Sequence, residues 1–202
     1  YEPGTDYTLQ GNELILHPQN KPFLYMEERQ LLGKNLPPEA EKDHLIYNFP
    51  ILYTDTPFII ERQLAVTYRY DAEEWVLPPS VRAATALSRT RQKLKNGKLR
   101  ILLFGDSISN GADSSGQLKV PPYLPSWYEL IRQKLQYDYG AEVELINISV
   151  SGQNATWAID HLDACMKDIC ADLMIIAFGM NDASMQLDLE AFVDNIRKIR
   201  IN

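Results

Sequence analysis

The sequence is poor in the residues that build disulfide frameworks and metal sites. Its 202 residues include two cysteines, Cys165 and Cys170, and three histidines. Two cysteines are too few for a disulfide framework. Because His161 is the only imidazole near them, they show no zinc-binding spacing. We therefore interpret both as core or surface thiols and predict no metal site.

Basic charge and long apolar runs are also scarce. The chain has 20 Lys and Arg against 27 Asp and Glu, a formal net charge of −7. Phosphate binding needs Lys and Arg clustered on one face, and we interpret the densest basic run, residues 89–100, as the solvated face of a helix and linker. Since no apolar run approaches the ~20 residues of a membrane helix, we predict neither a nucleic-acid partner nor a membrane span.

The sequence begins at Tyr1 and has no charged-then-apolar leader. We expect that any targeting segment was removed or lies outside this sequence. The residues do not determine the compartment, and a secreted or periplasmic location is favoured.

Residues 1–80 are predicted to be β-rich. Residues 63–70 alternate apolar and polar side chains, as in a half-buried antiparallel strand. Turn signals such as Gly11-Asn12 separate further short candidates, at 13–16, 23–26, 45–53 and 58–61. Short strands at this spacing suggest a small β-sandwich or jelly roll, whose many aromatic residues fit core packing better than sugar stacking.

The spacing of apolar residues changes beyond residue 80, from strand-like alternation to helical periodicity. Pro78-Pro79 marks a boundary, and the next segment is predicted to form a linker helix that stops at Asn96-Gly97. Beyond it, three apolar runs alternate with amphipathic helical segments, which implies right-handed βαβ crossovers and a parallel sheet. The runs are 99–104, 143–148 and 173–178. We therefore predict an accessory β domain at 1–80, a linker helix at 81–97 and an α/β domain at 98–202.

The first of these apolar runs stops at Gly105-Asp106-Ser107. A hydroxyl therefore lies at the carboxyl end of a central strand, where open α/β sheets bind ligands, and Ser107 is a candidate nucleophile. The loop lacks the Lys of a phosphate-binding P-loop and the spacing of a dinucleotide fingerprint. Ser109 replaces the second glycine of a hydrolase elbow. From these residues alone, a serine that only caps a helix or turn explains the tripeptide as well as catalysis does.

Two later segments also follow apolar runs: 147–154, Asn-Ile-Ser-Val-Ser-Gly-Gln-Asn, and 179–182, Gly-Met-Asn-Asp. Together with Gly-Asp-Ser-Ile-Ser at 105–109, they resemble, in the same order, three sequence blocks of the SGNH hydrolases, also called the GDSL esterase/lipase family. The combined match is more specific than any single block. It implies a flavodoxin-like three-layer α/β domain, of which about three parallel strands are present here.

The resemblance also implies roles for residues in the three blocks. Acyl transfer from an ester needs a hydroxyl nucleophile and donors aimed at the oxyanion. Ser107 matches the nucleophile, while its backbone N–H, that of Gly152 and the Asn181 amide match the donors. Asp106 and Asp182 flank them, and we expect these carboxylates to accept loop N–H groups rather than to react directly. No cofactor is implied.

Asn147 and Asn154 also satisfy the N-glycosylation rule. The first ends a strand predicted to be buried, and the second lies in the proposed site. We therefore interpret both sequons as accidental.

The general base of the family has no counterpart in this sequence. A serine hydroxyl becomes a good nucleophile when an imidazole, oriented by a carboxylate, takes its proton. The family supplies this pair as Asp-x-x-His near its C-terminus. No histidine follows His161, and Asp160-His161 has neither that spacing nor that position. The resemblance thus covers about half of the usual catalytic domain. We expect further sequence or a partner chain to complete the sheet, whose edge would otherwise be exposed.

We predict a serine ester hydrolase, an acyl or acetyl esterase whose base lies outside this chain. Its substrate would be a small-molecule or polysaccharide ester, because family members with a leading β domain resemble carbohydrate deacetylases. Two alternatives stay open: a catalytically inactive module that binds a glycan or a protein on the same fold, and a catalytic domain completed in trans by a separate chain.

Overall fold

The computed structural model describes two compact units of the chain. Residues 1–68 with 118–122 form the first unit, and residues 69–117 with 123–202 form the second. The residues described are 1–19, 26–47, 50–54, 56–63, 66 and 87–201. The sequence-based boundaries after residues 80 and 97 stay predictions.

The first unit opens with a β-hairpin. β1 (Tyr7–Gln10) pairs antiparallel with β2 (Glu13–Leu16), from Tyr7 opposite Leu16 to Gln10 opposite Glu13. Gly11 in the connecting turn lies in the left-handed region at φ +61°, a conformation that tight hairpin turns favour. The predicted strand at 13–16 is confirmed.

Three helices follow the hairpin: α1 (Glu28–Leu31), α2 (Pro38–Tyr47) and α3 (Pro57–Ile60). The strand prediction is wrong where it overlaps the last two, at 45–47 and 58–60. The reason lies in the prolines, because Pro38 and Pro57 each occupy the first position of a helix. At that position the missing N–H costs no hydrogen bond, and the fixed φ of proline suits a helix.

Two apolar residues of the predicted strands, Leu52 and Phe58, pack in a small core with Ala40 of α2. Ala40, Leu52 and Phe58 are buried together. Most of the predicted strands 23–26 and 63–70 lies outside the described residues. The described part of this segment therefore contains one hairpin and three helices, and the predicted β-sandwich is not seen in it.

The second unit contains the predicted parallel sheet. Its strands are β3 (Lys98–Gly105), β4 (Glu142–Asn147) and β5 (Leu173–Ala177), in the order β4-β3-β5. Its helices are α4 (Ser88–Lys95), α5 (Ser107–Asn110), α6 (Trp127–Tyr139), α7 (Ala155–Met166), α8 (Met180–Ser184) and α9 (Leu189–Ile201). The three predicted strands are confirmed and differ only at their ends. Among the described residues, no helix has the length and apolar character to cross a membrane.

Strand β3 is the buried centre of this unit. The side chains of Leu99 and of residues 101–104 are inaccessible to solvent. On one face of the sheet, Leu99 packs with Leu94 of α4. On the other face, Phe104 packs with Ile199 of α9. A strand covered on both faces is a near-continuous apolar run, and its carboxyl end is held in place by packing on both sides.

Asp172, just before β5, joins three elements at the amino end of the sheet. Its side chain accepts hydrogen bonds from Lys93 Nζ at 2.7 Å and from the Arg100 backbone N–H at 3.0 Å. The Lys93 ammonium first, and then the Arg100 N–H, hold the pKa of the Asp172 carboxyl below its ordinary value. The ionised form of Asp172 therefore ties α4 and β3 to the start of β5.

We expect Asp172 to make the stability of this unit sensitive to acid. Because its folded-state pKa is lowered, the carboxyl contributes stability above its unfolded pKa of about 3.9. That contribution is lost as pH falls through the lower folded pKa. As the pH falls through this acid range, the melting temperature of the wild type should drop more steeply than that of Asp172→Asn. Glu142→Gln, which removes an exposed ion pair to Lys98, is the control and should keep the wild-type profile. Equal profiles for all three proteins would contradict this.

Candidate active site

The first block forms a tight turn from β3 into α5. Asp106 is buried, and its Oδ1 accepts the Ile108 N–H at 3.0 Å, so it caps the amino end of α5. Its own N–H donates to Ala177 O of β5 at 3.3 Å. A Cβ at Gly105 would lie 2.5 Å from the same carbonyl oxygen, so the close approach requires glycine. This turn places Ser107, the first residue of α5, at the carboxyl edge of the sheet.

Ser107 is half-buried, and its side chain is unengaged. Its carbonyl oxygen accepts the N–H groups of Gly111 and Ala112 at 3.1 and 3.0 Å, which close the single turn of α5. Neither its Oγ nor its backbone N–H forms a hydrogen bond with a described residue. Both groups are therefore available to a ligand.

The second block forms the turn between β4 and α7. The Val150 N–H donates to Gly105 O at 3.0 Å, and Asn110 Nδ2 donates to Ser151 Oγ at 3.3 Å, so this turn lies against the first block. Gly152 is exposed at φ +77°, in the left-handed region that favours glycine. Its N–H donates to no group in the described part of the chain. Gly152 thus provides a second available backbone donor.

The third block begins α8 and meets the second block. Asn181 Nδ2 donates to Gln153 O at 2.8 Å. Because a carbonyl oxygen only accepts, the orientation of the amide is unambiguous, and its second N–H remains for another acceptor. The donor group of Asn181 therefore lies beside the turn that contains Gly152.

Asp182 is buried and holds the start of α7. Its Oδ1 accepts the Ala155 N–H at 2.9 Å, one of the first N–H groups of a helix, which lack an intrahelical partner. Its Oδ2 is buried and has no hydrogen-bond partner among the described residues. Asn154 caps the same helix by accepting the Trp157 N–H at 2.9 Å. Side chains before α7 and within α8 therefore fix the turn that precedes α7.

Sequence reasoning missed the contacts of two asparagines. Asn147 Nδ2 donates to Ser109 O at 2.7 Å, and its Oδ1 accepts the Ser149 N–H at 3.0 Å. Asn154 is the cap of α7. The signal that points to both is a short amide side chain at a strand end or just before a helical pattern, where Asn hydrogen-bonds local backbone groups.

All three histidines are described, and none hydrogen-bonds Ser107. His161 Nδ1 lies 2.9 Å from Trp157 O, and its ring stacks on the Trp157 indole with centroids 4.6 Å apart. His17 and His44 lie in the first unit, where each has its own hydrogen-bond partner. No imidazole in the described chain is therefore bonded to Ser107 as its base.

A small cavity opens beside α5. It has a volume of about 240 Å³, and its lining is mostly apolar, including Ile108, Trp127, Phe178 and Met180. The Trp127 indole N–H donates to Ile108 O at 3.0 Å, which fixes one wall next to the residue that follows Ser107. Asp106, Ser109 and Ala177 complete its lining, so the cavity adjoins the first block and the end of β5.

Residues 103–200 match the model of the GDSL-like Lipase/Acylhydrolase family. No curated protein matches the chain. Among solved structures, TesA is 26% identical with a TM-score of 0.40, over 50% of this chain and 51% of that chain. Esterase EstA from Pseudoalteromonas sp. is 24% identical with a TM-score of 0.39, over 50% of each chain. A two-domain esterase active on acetylated mannans is 25% identical with a TM-score of 0.43, over 55% of this chain and 28% of that chain.

The resemblance predicted from the three sequence blocks is confirmed, since the family match includes all three of them. The chain spans about half the length of the first two structures.

Proposed function

We propose that this chain carries the nucleophile and the oxyanion-binding groups of a serine ester hydrolase. The premise is the match of residues 103–200 to the GDSL-like lipases and acylhydrolases. Ser107 Oγ attacks the carbonyl carbon of the ester. The N–H groups of Ser107 and Gly152 and the Asn181 amide receive the oxyanion of the tetrahedral intermediate. Asp106 and Asp182 fix the turns that carry these groups.

One observation carries this proposal: the groups that the reaction needs are available at one edge of the sheet. Ser107 Oγ and the N–H groups of Ser107 and Gly152 have no hydrogen-bond partner among the described residues. The bond from Asn181 to Gln153 joins the amide to the Gly152 turn. The contacts from Asn110 to Ser151 and from Asn181 to Gln153 bring the three blocks together within the family-matched segment, and this juxtaposition supports a ligand site.

The base that activates Ser107 resides, in this proposal, outside the 202 residues. It takes the Ser107 proton as Oγ bonds to the carbonyl carbon, and it returns that proton to the alcohol that leaves. Water then hydrolyses the acyl-enzyme and releases the carboxylic acid. A further segment or a partner chain could supply this base beside β5, which pairs only with β3 among the described residues.

The substrate we propose is an ester of a small acyl group, with acetyl included. The cavity beside α5, at about 240 Å³, is smaller than the roughly 300–1,000 Å³ of pockets for drug-sized ligands. Its apolar wall matches a methyl group better than a polar one. We propose a polysaccharide as the alcohol part, which is the substrate class that the sequence resemblance implies.

The test is to treat the 202-residue chain with an alkyl fluorophosphonate, with and without imidazole as a substitute base, and to map the adducts by tandem mass spectrometry. We expect one adduct, on Ser107, that forms faster with imidazole, because an added base can reach the unengaged hydroxyl. Adducts spread over exposed serines such as Ser151 and Ser184, or no adduct, would contradict the proposal. Either result would favour the inactive binding module.

A further inference from the structure

We propose that Asn147 is a positioning residue that couples the nucleophile to the second oxyanion donor. It joins the backbone of α5, which begins with Ser107, to the backbone of the turn that carries Gly152. The effect of this coupling on catalysis rests on the proposed function. The coupling itself depends only on the fold.

The contacts of Asn147 span the first and second blocks. Asn147 is the last residue of β4 and lies opposite Leu103 of β3. Its Nδ2 donates to Ser109 O at 2.7 Å, and its Oδ1 accepts the Ser149 N–H at 3.0 Å. A carbonyl oxygen only accepts and a backbone N–H only donates, so these two partners allow one orientation of the amide.

The Ser109 carbonyl has a specific need for this donor. Helix α5 is a single turn, and the last carbonyl groups of a helix lack partners within it. Ser107 O accepts N–H groups that follow the turn, and Ile108 O accepts the Trp127 indole N–H. Ser109 is only 1% exposed, so the loss of the Asn147 donor would leave a desolvated carbonyl, which is costly. The amide therefore serves as the cap of α5 on the side of β4.

The same amide relates the positions of two proposed oxyanion donors. Donors stabilise an oxyanion when they lie about 2.7–3.1 Å from it, so the N–H groups of Ser107 and Gly152 must keep a fixed separation. In the described part of the chain, a second side-chain bridge between these blocks joins Asn110 to Ser151, and it is exposed and longer, at 3.3 Å. Asn147 is thus the shorter and less exposed connection.

The variant that separates the two contacts is Asn147→Asp. It keeps the size of the side chain and an acceptor for the Ser149 N–H, but it places an ionised oxygen against Ser109 O where the donor was. Asn195→Asp is the matched control, because Asn195 Nδ2 donates to Thr156 Oγ1 at 3.1 Å and joins α9 to α7. It introduces the same charge outside the connection between the first two blocks, and its carboxylate can instead accept a hydrogen bond from the Thr156 hydroxyl.

The measurement is amide hydrogen exchange of the 202-residue chain by nitrogen-15 NMR. We expect Asn147→Asp to shift the amide resonances of both 107–112 and 149–153. The hydrogen-bonded amides of these segments, such as those of Gly111, Ala112 and Ser149, should exchange about 10-fold faster, a loss of about 1.4 kcal/mol of local protection. Asn195→Asp should leave both segments unchanged. Changes confined to 149–153, or equal changes in both variants, would overturn the coupling.

A second measurement repeats the exchange experiment at acidic pH. It can be made even if Asn147→Asp unfolds at neutral pH. When the introduced carboxyl is protonated it regains an O–H donor. At low pH the variant should therefore show the exchange pattern of the wild type measured at the same pH. A packing defect would not be reversed in this way, and its persistence in acid would overturn the proposal.

A kinetic measurement tests whether the coupling affects catalysis. In the imidazole-supplemented chain, Asn147→Asp should lower kcat about 10- to 100-fold with little change in KM, since a small misplacement of reacting groups has that cost. An unchanged kcat would reject the positioning role. The exchange and kinetic measurements test different claims. A chain without any Ser107-dependent reaction refutes the proposed function, but the exchange measurement still tests the coupling.

Discussion

Replacing Ser107 by alanine is expected to lower acetyl-ester hydrolysis to the rate measured in the same buffer, with the same imidazole concentration, without protein. The alanine keeps the backbone N–H and the fold of α5 but removes the oxygen that would bond to the acyl carbon. Where a serine works with an intact base, its loss costs about 10⁶ in turnover. The measurement is hydrolysis of a chromogenic acetyl ester by the longest natural product of the gene, and by the 202-residue chain supplemented with imidazole.

The control for this prediction is Ser184→Ala. Ser184 is an exposed serine of α8 whose hydroxyl donates to Met180 O at 3.0 Å, so the same change of atoms occurs away from the nucleophile. It should retain the wild-type rate. Hydrolysis that survives Ser107→Ala would show that another group is the nucleophile or that imidazole alone accounts for the reaction.

The parallel sheet is predictable from the sequence because its central strand has one physical requirement. A strand covered on both faces must be apolar throughout, and residues 99–104 meet this condition between polar neighbours. The ends of such strands share one edge of the sheet, which is why Ser107, Gly152 and Asn181 are expected near one another without any contact information. Periodicity and strand polarity therefore locate the candidate site.

Residues 1–80 show where this kind of reasoning fails. Short apolar runs around Leu45 and Phe58 are compatible with a strand or with a helix, and alternation over a few residues does not separate the two. The start signal of a helix is more informative there, because Pro38 and Pro57 each occupy a first helical position. As helix-start signals, these two prolines predict α2 and α3.

The connections within the candidate site are the part that sequence reasoning cannot reach. Asp182 bonds the Ala155 N–H across 27 positions, and Asn147 bonds Ser109 O across 38. Their residue types indicate that they will hydrogen-bond backbone groups, but the partner depends on the register of β3 with β4 and β5. That register is a property of the packed sheet. A family resemblance supplies the roles of the blocks without supplying these contacts.

Replacing Asn181 by aspartate is expected to lower kcat about 10²- to 10³-fold, the usual cost of losing one oxyanion donor. The substitution keeps the shape of the side chain but replaces its N–H groups with a carboxylate oxygen. That oxygen opposes both the developing oxyanion and Gln153 O, which accepts from Asn181 Nδ2 at 2.8 Å. Because the charge that it repels develops in the transition state, kcat should fall much more than KM rises. The measurement is full substrate titration with the acetyl ester.

The control introduces the same charge at the same edge of the sheet without touching a proposed donor. Asn110 donates to Ser151 Oγ at 3.3 Å, and the carboxylate of Asn110→Asp can instead accept a hydrogen bond from that hydroxyl. Its effect on kcat should therefore be only a few-fold. A comparable loss in both variants would assign the effect to added negative charge near Ser107. A large loss confined to Asn181→Asp would identify the amide as a donor to the transition state, since the two variants differ in that donor and not in charge.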